Sequence, residues 1–188
     1  KVSDLFVRVG RVTFMIIMLI LSGFIVFGKE FLLIWVGEGY TEAYYVAIVV
    51  MIPFSVDLAQ NLALAILQVK KQYGFRAKIY LLSAMINVVT TVILASYFGI
   101  IGAAISTGLS MFITSGMIMN WYYLKKVSLD IVKFWKESFK VIAASMAIMI
   151  LALLIKKYMS WNSAGLLQLG MQILLFASIY VCMMYKFI

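Results

Sequence analysis

Asp57, Gln60 and Asn61 stand together inside a long apolar run, and Asp57 is the one ionisable residue near the middle of such a run. Asp57, Asn61, Leu64 and Gln68 follow i, i+4, i+7, i+11 spacing, which places them on one face of a helix. A carboxylate in hydrocarbon is costly and turns towards a neighbouring helix or a wet cavity. Two chemistries follow. Asp57 contacts a polar substrate or binds a coupling cation or proton, or it only hydrogen-bonds another helix. Pro53, one turn earlier, removes a backbone hydrogen bond and kinks the same helix. Asn87, with Thr90 and Thr91, is a further polar group on the next run, of the kind that bridges helices.

Other chemistries lack their residues. The chain has no histidine and one cysteine, Cys182, which can form no internal disulfide and offers no plausible metal site. There is no Ser/His/Asp or Cys/His arrangement, no paired carboxylates at glycosidase spacing and no glycine-rich phosphate loop. The three outer glutamates, Glu30, Glu38 and Glu42, form the one acidic cluster, and no general base partners them. The chain reads as a non-enzyme without a cofactor.

The elements that hold these residues are set by hydrophobicity. Apolar residues make up 65% of the 188 positions and charged residues 12%, half of what a soluble domain uses to clothe its surface. The mean hydropathy is +1.08. Crossing a hydrocarbon core of roughly 30 Å takes about 20 apolar residues. Six such segments are expected, at 12–28, 43–68, 79–98, 100–124, 138–159 and 164–185, giving an all-α polytopic membrane protein. Residues 79–124 carry no charge, and one straight helix over them would be about 69 Å long at 1.5 Å per residue. That run must fold back, and Tyr97-Phe98-Gly99 is the place, because glycine tolerates a positive φ. Gly102, Ala103, Ser106 and Gly116 then give the fourth helix small faces for close approach.

The net charge of +9 is distributed by side. With six crossings, Lys1, Arg8, Arg11, Lys70, Lys71, Arg76, Lys78, Lys125, Lys126, Lys133, Lys136, Lys140 and Lys186 all fall on one side. Lys29, Lys156 and Lys157 fall on the other. The rich side is expected to be cytoplasmic, with both ends of the segment there. Basic residues that punctuate apolar spans do not make a nucleic-acid surface, which interleaves them with exposed aromatics. The stretch 125–140 mixes five lysines with Phe134, Trp135 and Phe139, and reads either as an interfacial helix on anionic lipid or as a plain basic connector. The loop 28–42 is expected to dip its Phe31–Val36 patch into the outer interface.

Several stretches in order resemble the C-terminal half of a polysaccharide-biosynthesis flippase of the multidrug/oligosaccharidyl-lipid/polysaccharide exporter superfamily. They are Gly28-Lys29-Glu30-Phe31 with Trp35-Val36-Gly37 and Tyr40-x-x-Ala43, then Gln68-Val69-Lys70-Lys71-Gln72. Ile86-Asn87-Val88-Val89, the run from Tyr97 to Thr107, and Tyr122-Tyr123-Leu124-Lys125-Lys126 complete the set. The resemblance covers residues 1–126, and 127–188 (a basic amphipathic loop and two helices) match by pattern alone. It implies most of the second lobe of a 12–14-helix transporter in a bacterial plasma membrane, with a first lobe in the same longer chain. It further implies export of undecaprenyl-diphosphate-linked oligosaccharide units for capsule, exopolysaccharide or O-antigen, alongside polysaccharide assembly machinery. Asp57, Gln60, Asn61 and Asn87 would then line the cavity. The diphosphate calls for cations, and with none in mid-segment, Arg11, Arg76 and Lys78 at the cavity mouth are the candidates. The rival functions are a cation-coupled multidrug exporter of the same superfamily and a membrane scaffold that transports nothing.

Overall fold

The computed structural model describes residues 2–158 and 165–185, and these residues form helices and short connections with no strand among them. Helix α1 runs Val2–Trp35, followed by a single 3-10 turn at Glu38–Tyr40. Then come α2 (Thr41–Ala59), α3 (Asn61–Val69) and α4 (Tyr73–Met111). From α4 the chain continues through π-helical turns at Phe112–Met119 and Tyr123–Val127, with the short α5 (Asn120–Tyr122) between them. Helices α6 (Ile131–Tyr158) and α7 (Leu166–Met184) complete the bundle.

Five helical stretches are long and apolar enough to cross a membrane. The longest, Tyr73–Val127, is not one rod. Gly99 sits at φ 60°, ψ −141°, and the chain folds back there into a hairpin with legs 73–98 and 100–127. The legs are tied across by hydroxyls: Ser83 to Ser110 at 2.7 Å, Thr114 to Ser83 at 2.6 Å, and Ser106 to Asn87 Oδ1 at 2.8 Å. Thr90 and Thr91 also reach Ser106. The turn expected at residues 97–99 is therefore present, and the Asn87 group bridges helices as its residue types suggest.

Helix α1 is the central element, touching α6 and α7 on one flank and α2 on the other, with the hairpin beyond α2. Two apolar clusters hold the bundle. One joins Phe6, Phe14, Leu67, Tyr123 and Phe134 near the basic end. The other joins Val26, Phe27, Ile148, Leu169 and Phe176 near the opposite end. Tyr180 of α7 staples three helices, with its hydroxyl 2.7 Å from Ser145 Oγ on α6 and donating to the Met15 carbonyl on α1 at 3.0 Å. The outer surface stays apolar, with Leu81, Val88 and Val92 each about two-thirds exposed. A surface of that kind is solvated by hydrocarbon rather than water. This is a helical membrane protein.

Three expected boundaries are corrected. The first helix is not the short segment 12–28. It extends in both directions, because the Phe6–Phe134 stack anchors its beginning and the stretch to Trp35 continues the apolar run. Residues 28–35 are thus helix, not loop. The segment 43–68 is two helices, broken at Gln60. The fifth helix starts at Ile131 rather than residue 138, so the basic stretch 125–140 is mostly the end of the hairpin and the first turns of α6. Its Leu129, Ile131 and Phe134 are buried in the protein core, while Val132 and Phe139 remain exposed. The end of the sixth segment agrees closely, and its first residue, 164, lies outside the described residues.

Pro53 removes the amide that would normally bond the Val49 carbonyl in α2. The hairpin packs against this point. A methyl group at Gly108 would lie 2.9 Å from Val49 O and 3.7 Å from the Pro53 ring. The Gly108 backbone therefore packs closely against the Val49 carbonyl, with no room for a side chain. Gly108→Ala is expected to lower stability by about 1–2 kcal/mol, measured by denaturant titration in detergent followed by circular dichroism. Gly39→Ala, where the added methyl meets nothing within 4 Å, serves as the control and should leave the midpoint in place.

Candidate functional site

The site forms where α2 meets both legs of the hairpin. Asp57 lies two residues before the end of α2 and accepts three hydrogen bonds on one oxygen, Oδ1. Arg76 Nη2 donates at 3.0 Å, Ser115 Oγ at 3.0 Å, and Tyr80 contributes its hydroxyl. Arg76 Nη1 donates in turn to the Tyr123 hydroxyl at 2.8 Å, and its guanidinium carbon sits 4.6 Å from the centre of the Tyr80 ring. Arg76 is 8% exposed. Arg76 and Tyr80 are one turn apart on α4, Ser115 and Tyr123 come from the returning leg, and Asp57 is the contribution of α2. The hairpin at Gly99 is what brings 76–80 level with 115–123.

A buried ion pair of this kind contributes little net stability over a well-packed apolar isostere, because desolvating both charges offsets their attraction. Its geometry says more about chemistry. The charges neutralise one another, and the hydroxyls of Tyr80, Ser115 and Tyr123 satisfy both partners. The cluster is level with Tyr80, seven residues into α4, so it lies about 10 Å inside the helical region at 1.5 Å per residue.

A second polar group backs it. Gln60, at the break between α2 and α3, is 1% exposed and donates through Nε2 to Asn120 Oδ1 at 2.7 Å. Asn120 donates through Nδ2 to the carbonyls of Ser115 and Gly116, both within the π-helical stretch. Trp135 Nε1 of α6 also reaches Asn120 Oδ1, at 3.4 Å. Gln60 thus ties the helix break to the same turn that carries Ser115.

Of the expected cavity residues, the structure joins Asp57 to Arg76 and puts Gln60 close by through Asn120. Asn61 does not take part. The break at Gln60 rotates α3 so that Asn61 and Gln68 are exposed, and the single polar face through Asp57, Asn61, Leu64 and Gln68 does not form. Asn87 belongs to the hairpin's hydroxyl ladder further along, two turns from Tyr80. The three mouth cations separate as well. Arg76 is inside, against Asp57. Arg11 pairs with Glu137 of α6 at 3.4 Å. Lys78 is exposed and in no ion pair among the described residues. Arg76 stands three residues into α4, before the uncharged run 79–124, and turns inward, where Asp57 receives it.

Tyr80, Ser115, Tyr123 and Asn120 were not anticipated. A signal for the first existed, since Arg76, Tyr80, Ser83, Asn87 and Thr90 repeat at i, i+4, i+7, i+11, i+14 and mark one polar stripe. At the far end of the bundle, Lys156 pairs with Glu30 at 3.0 Å and donates to the Val26 carbonyl at 2.7 Å, so Glu30 has a basic partner. The described residues contain no group of three or more potential metal ligands. No family model, curated protein or solved structure matches this chain.

Proposed function

We propose that the chain is one lobe of an alternating-access transporter that flips diphosphate-linked oligosaccharides on a polyprenyl carrier across a bacterial plasma membrane. Arg76 carries this reading. A diphosphate needs a cation inside the transport path, and Arg76 is a buried guanidinium, geometrically suited to bidentate phosphate contact, with Asp57 holding its place while no substrate is bound. The ordered motifs along residues 1–126 support the same superfamily. On this reading the basic end of the bundle faces the cytoplasm, the two hairpin legs are separate crossings, and a first lobe faces the site. The multidrug-exporter alternative is weaker, because a coupling cation at Asp57 would have to displace a guanidinium already 3.0 Å away.

The test is translocation by the full native polypeptide in proteoliposomes loaded with an undecaprenyl-diphosphate-linked trisaccharide, read by exposure of the sugar to an external glycosidase. Protein-dependent exposure is expected, with Arg76→Gln slowing it roughly 10- to 100-fold, the worth of one charge-assisted bond. Exposure no faster than in protein-free vesicles would sink the transporter reading and leave a scaffold.

A further inference from the structure

We propose that the outer groove between the two hairpin legs is a binding site for one acyl chain of an anionic glycerophospholipid, with the headgroup held at Lys78. This does not rest on the transporter reading. The groove encloses about 280 Å³, walled by Ile79, Leu82 and Ile86 on one leg and Leu109, Ile113 and Ile118 on the other. Its floor is the hydroxyl ladder of Ser83, Ser110 and Thr114, whose hydrogen bonds are made within the hairpin. The floor therefore offers a chain no unsatisfied polar group.

Length, direction and charge identify the occupant. From Ile79 to Leu94 the groove follows 15 residues of helix, about 22 Å, which exceeds one leaflet's share of a roughly 30 Å core. It runs parallel to the helices, as a lipid chain does. Beyond its basic end, Phe75 of one leg stacks on Tyr122 of the other, with ring centres 4.1 Å apart and planes 10° from parallel. Phe75 precedes Ile79 by one turn, so the stack lies in line with the groove. Lys78 precedes Leu82 by one turn on the same flank, is exposed, and has no ion-pair partner among the described residues. A chain in the groove brings its phosphate to that ammonium. The same end carries Lys70, Lys71, Lys125 and Lys126, which favours an anionic over a zwitterionic headgroup.

The experiment is native mass spectrometry of the full chain. It is purified into micelles holding dioleoyl-phosphatidylglycerol and dioleoyl-phosphatidylcholine at equal mole fraction. One retained lipid is expected, with the anionic phosphatidylglycerol preferred about fivefold, as one surface lysine supports. Ile86→Trp and, independently, Leu82→Trp fill the groove from half-exposed positions and should cut retention about tenfold without moving the thermal midpoint. Lys78→Gln should keep the lipid but bring the headgroup preference near unity. Retention unchanged in both tryptophan variants, or a preference unchanged in Lys78→Gln, overturns the site. So does a second copy in the groove, which would appear as faster disulfide dimerisation of Ile86→Cys than of Leu175→Cys in a Cys182→Ser background.

Discussion

Asp57→Ala is expected to destabilise the bundle by about 3 kcal/mol, more than Arg76→Leu, and Asp57→Ala/Arg76→Leu should recover much of that loss. Removing Asp57 leaves the Arg76 guanidinium buried with the Tyr123 hydroxyl and the face of Tyr80, and an uncompensated buried charge costs about 3–5 kcal/mol. Removing Arg76 instead leaves a partly exposed carboxylate that still accepts from Ser115 and Tyr80, a milder defect. Removing both takes away the desolvation problem along with the attraction. The cycle is measured by denaturant titration in detergent, and its non-additivity is the readout, since the two side chains touch. Transport separates function from fold. The double variant should regain stability yet remain as slow in sugar exposure as Arg76→Gln. Recovery of transport together with stability would mean that the pair only holds helices together.

What the sequence disclosed follows from how local the cause was. The hairpin is legible because an uncharged run too long for one crossing contains a glycine at its middle, and length alone forces the fold-back. Asp57 was legible because a charge in an apolar run is rare. Its partner was not, because Arg76 stands beside Lys78 at the edge of a loop and looks like any interfacial cation. Its inward position depends on Asp57 of α2 and on Tyr123 across the hairpin, neither of which is near it in sequence. The break at Gln60 had no local sign either. No glycine or proline stands there, and Pro53 drew attention to a bend seven residues earlier. At the break, Gln60 bonds Asn120, sixty residues away and just past the π-helical turns that follow α4. The stretch 125–140 left open an interfacial helix or a basic connector; α1 extends far enough down to cover Phe134, while Val132 and Phe139 stay exposed. Resemblance supplied the transport reading, and composition alone stops at a helical membrane protein.

Gly102→Ala should be the most damaging glycine substitution in the chain, and its effect should reach the Asp57 site more than 10 residues away. A methyl at Gly102 would lie 2.1 Å from the Leu94 carbonyl oxygen and 2.6 Å from its carbon. Both are backbone atoms of the last turn before Gly99, so no side chain can swing aside. The returning leg must move away from the outgoing one. Overpacking of this kind costs about 1–3 kcal/mol, and the upper end applies where backbone meets backbone. Gly99→Ala is a useful contrast. The residue sits at a positive φ that other residues adopt at about 1–3 kcal/mol, yet an added methyl meets nothing within 4 Å. Strain at Gly99 stays in the turn, whereas a wedge at Gly102 splays the legs and lengthens every tie between them, from Ser106–Asn87 to Tyr80–Ser115. Both variants should lower the denaturation midpoint. Cross-linking of Leu82→Cys to Ile113→Cys by a short bis-maleimide, in a Cys182→Ser background, should persist in Gly99→Ala and fall severalfold in Gly102→Ala. Equal cross-linking in the two would mean that the legs are held by their hydroxyl ladder and not by the close approach at the turn.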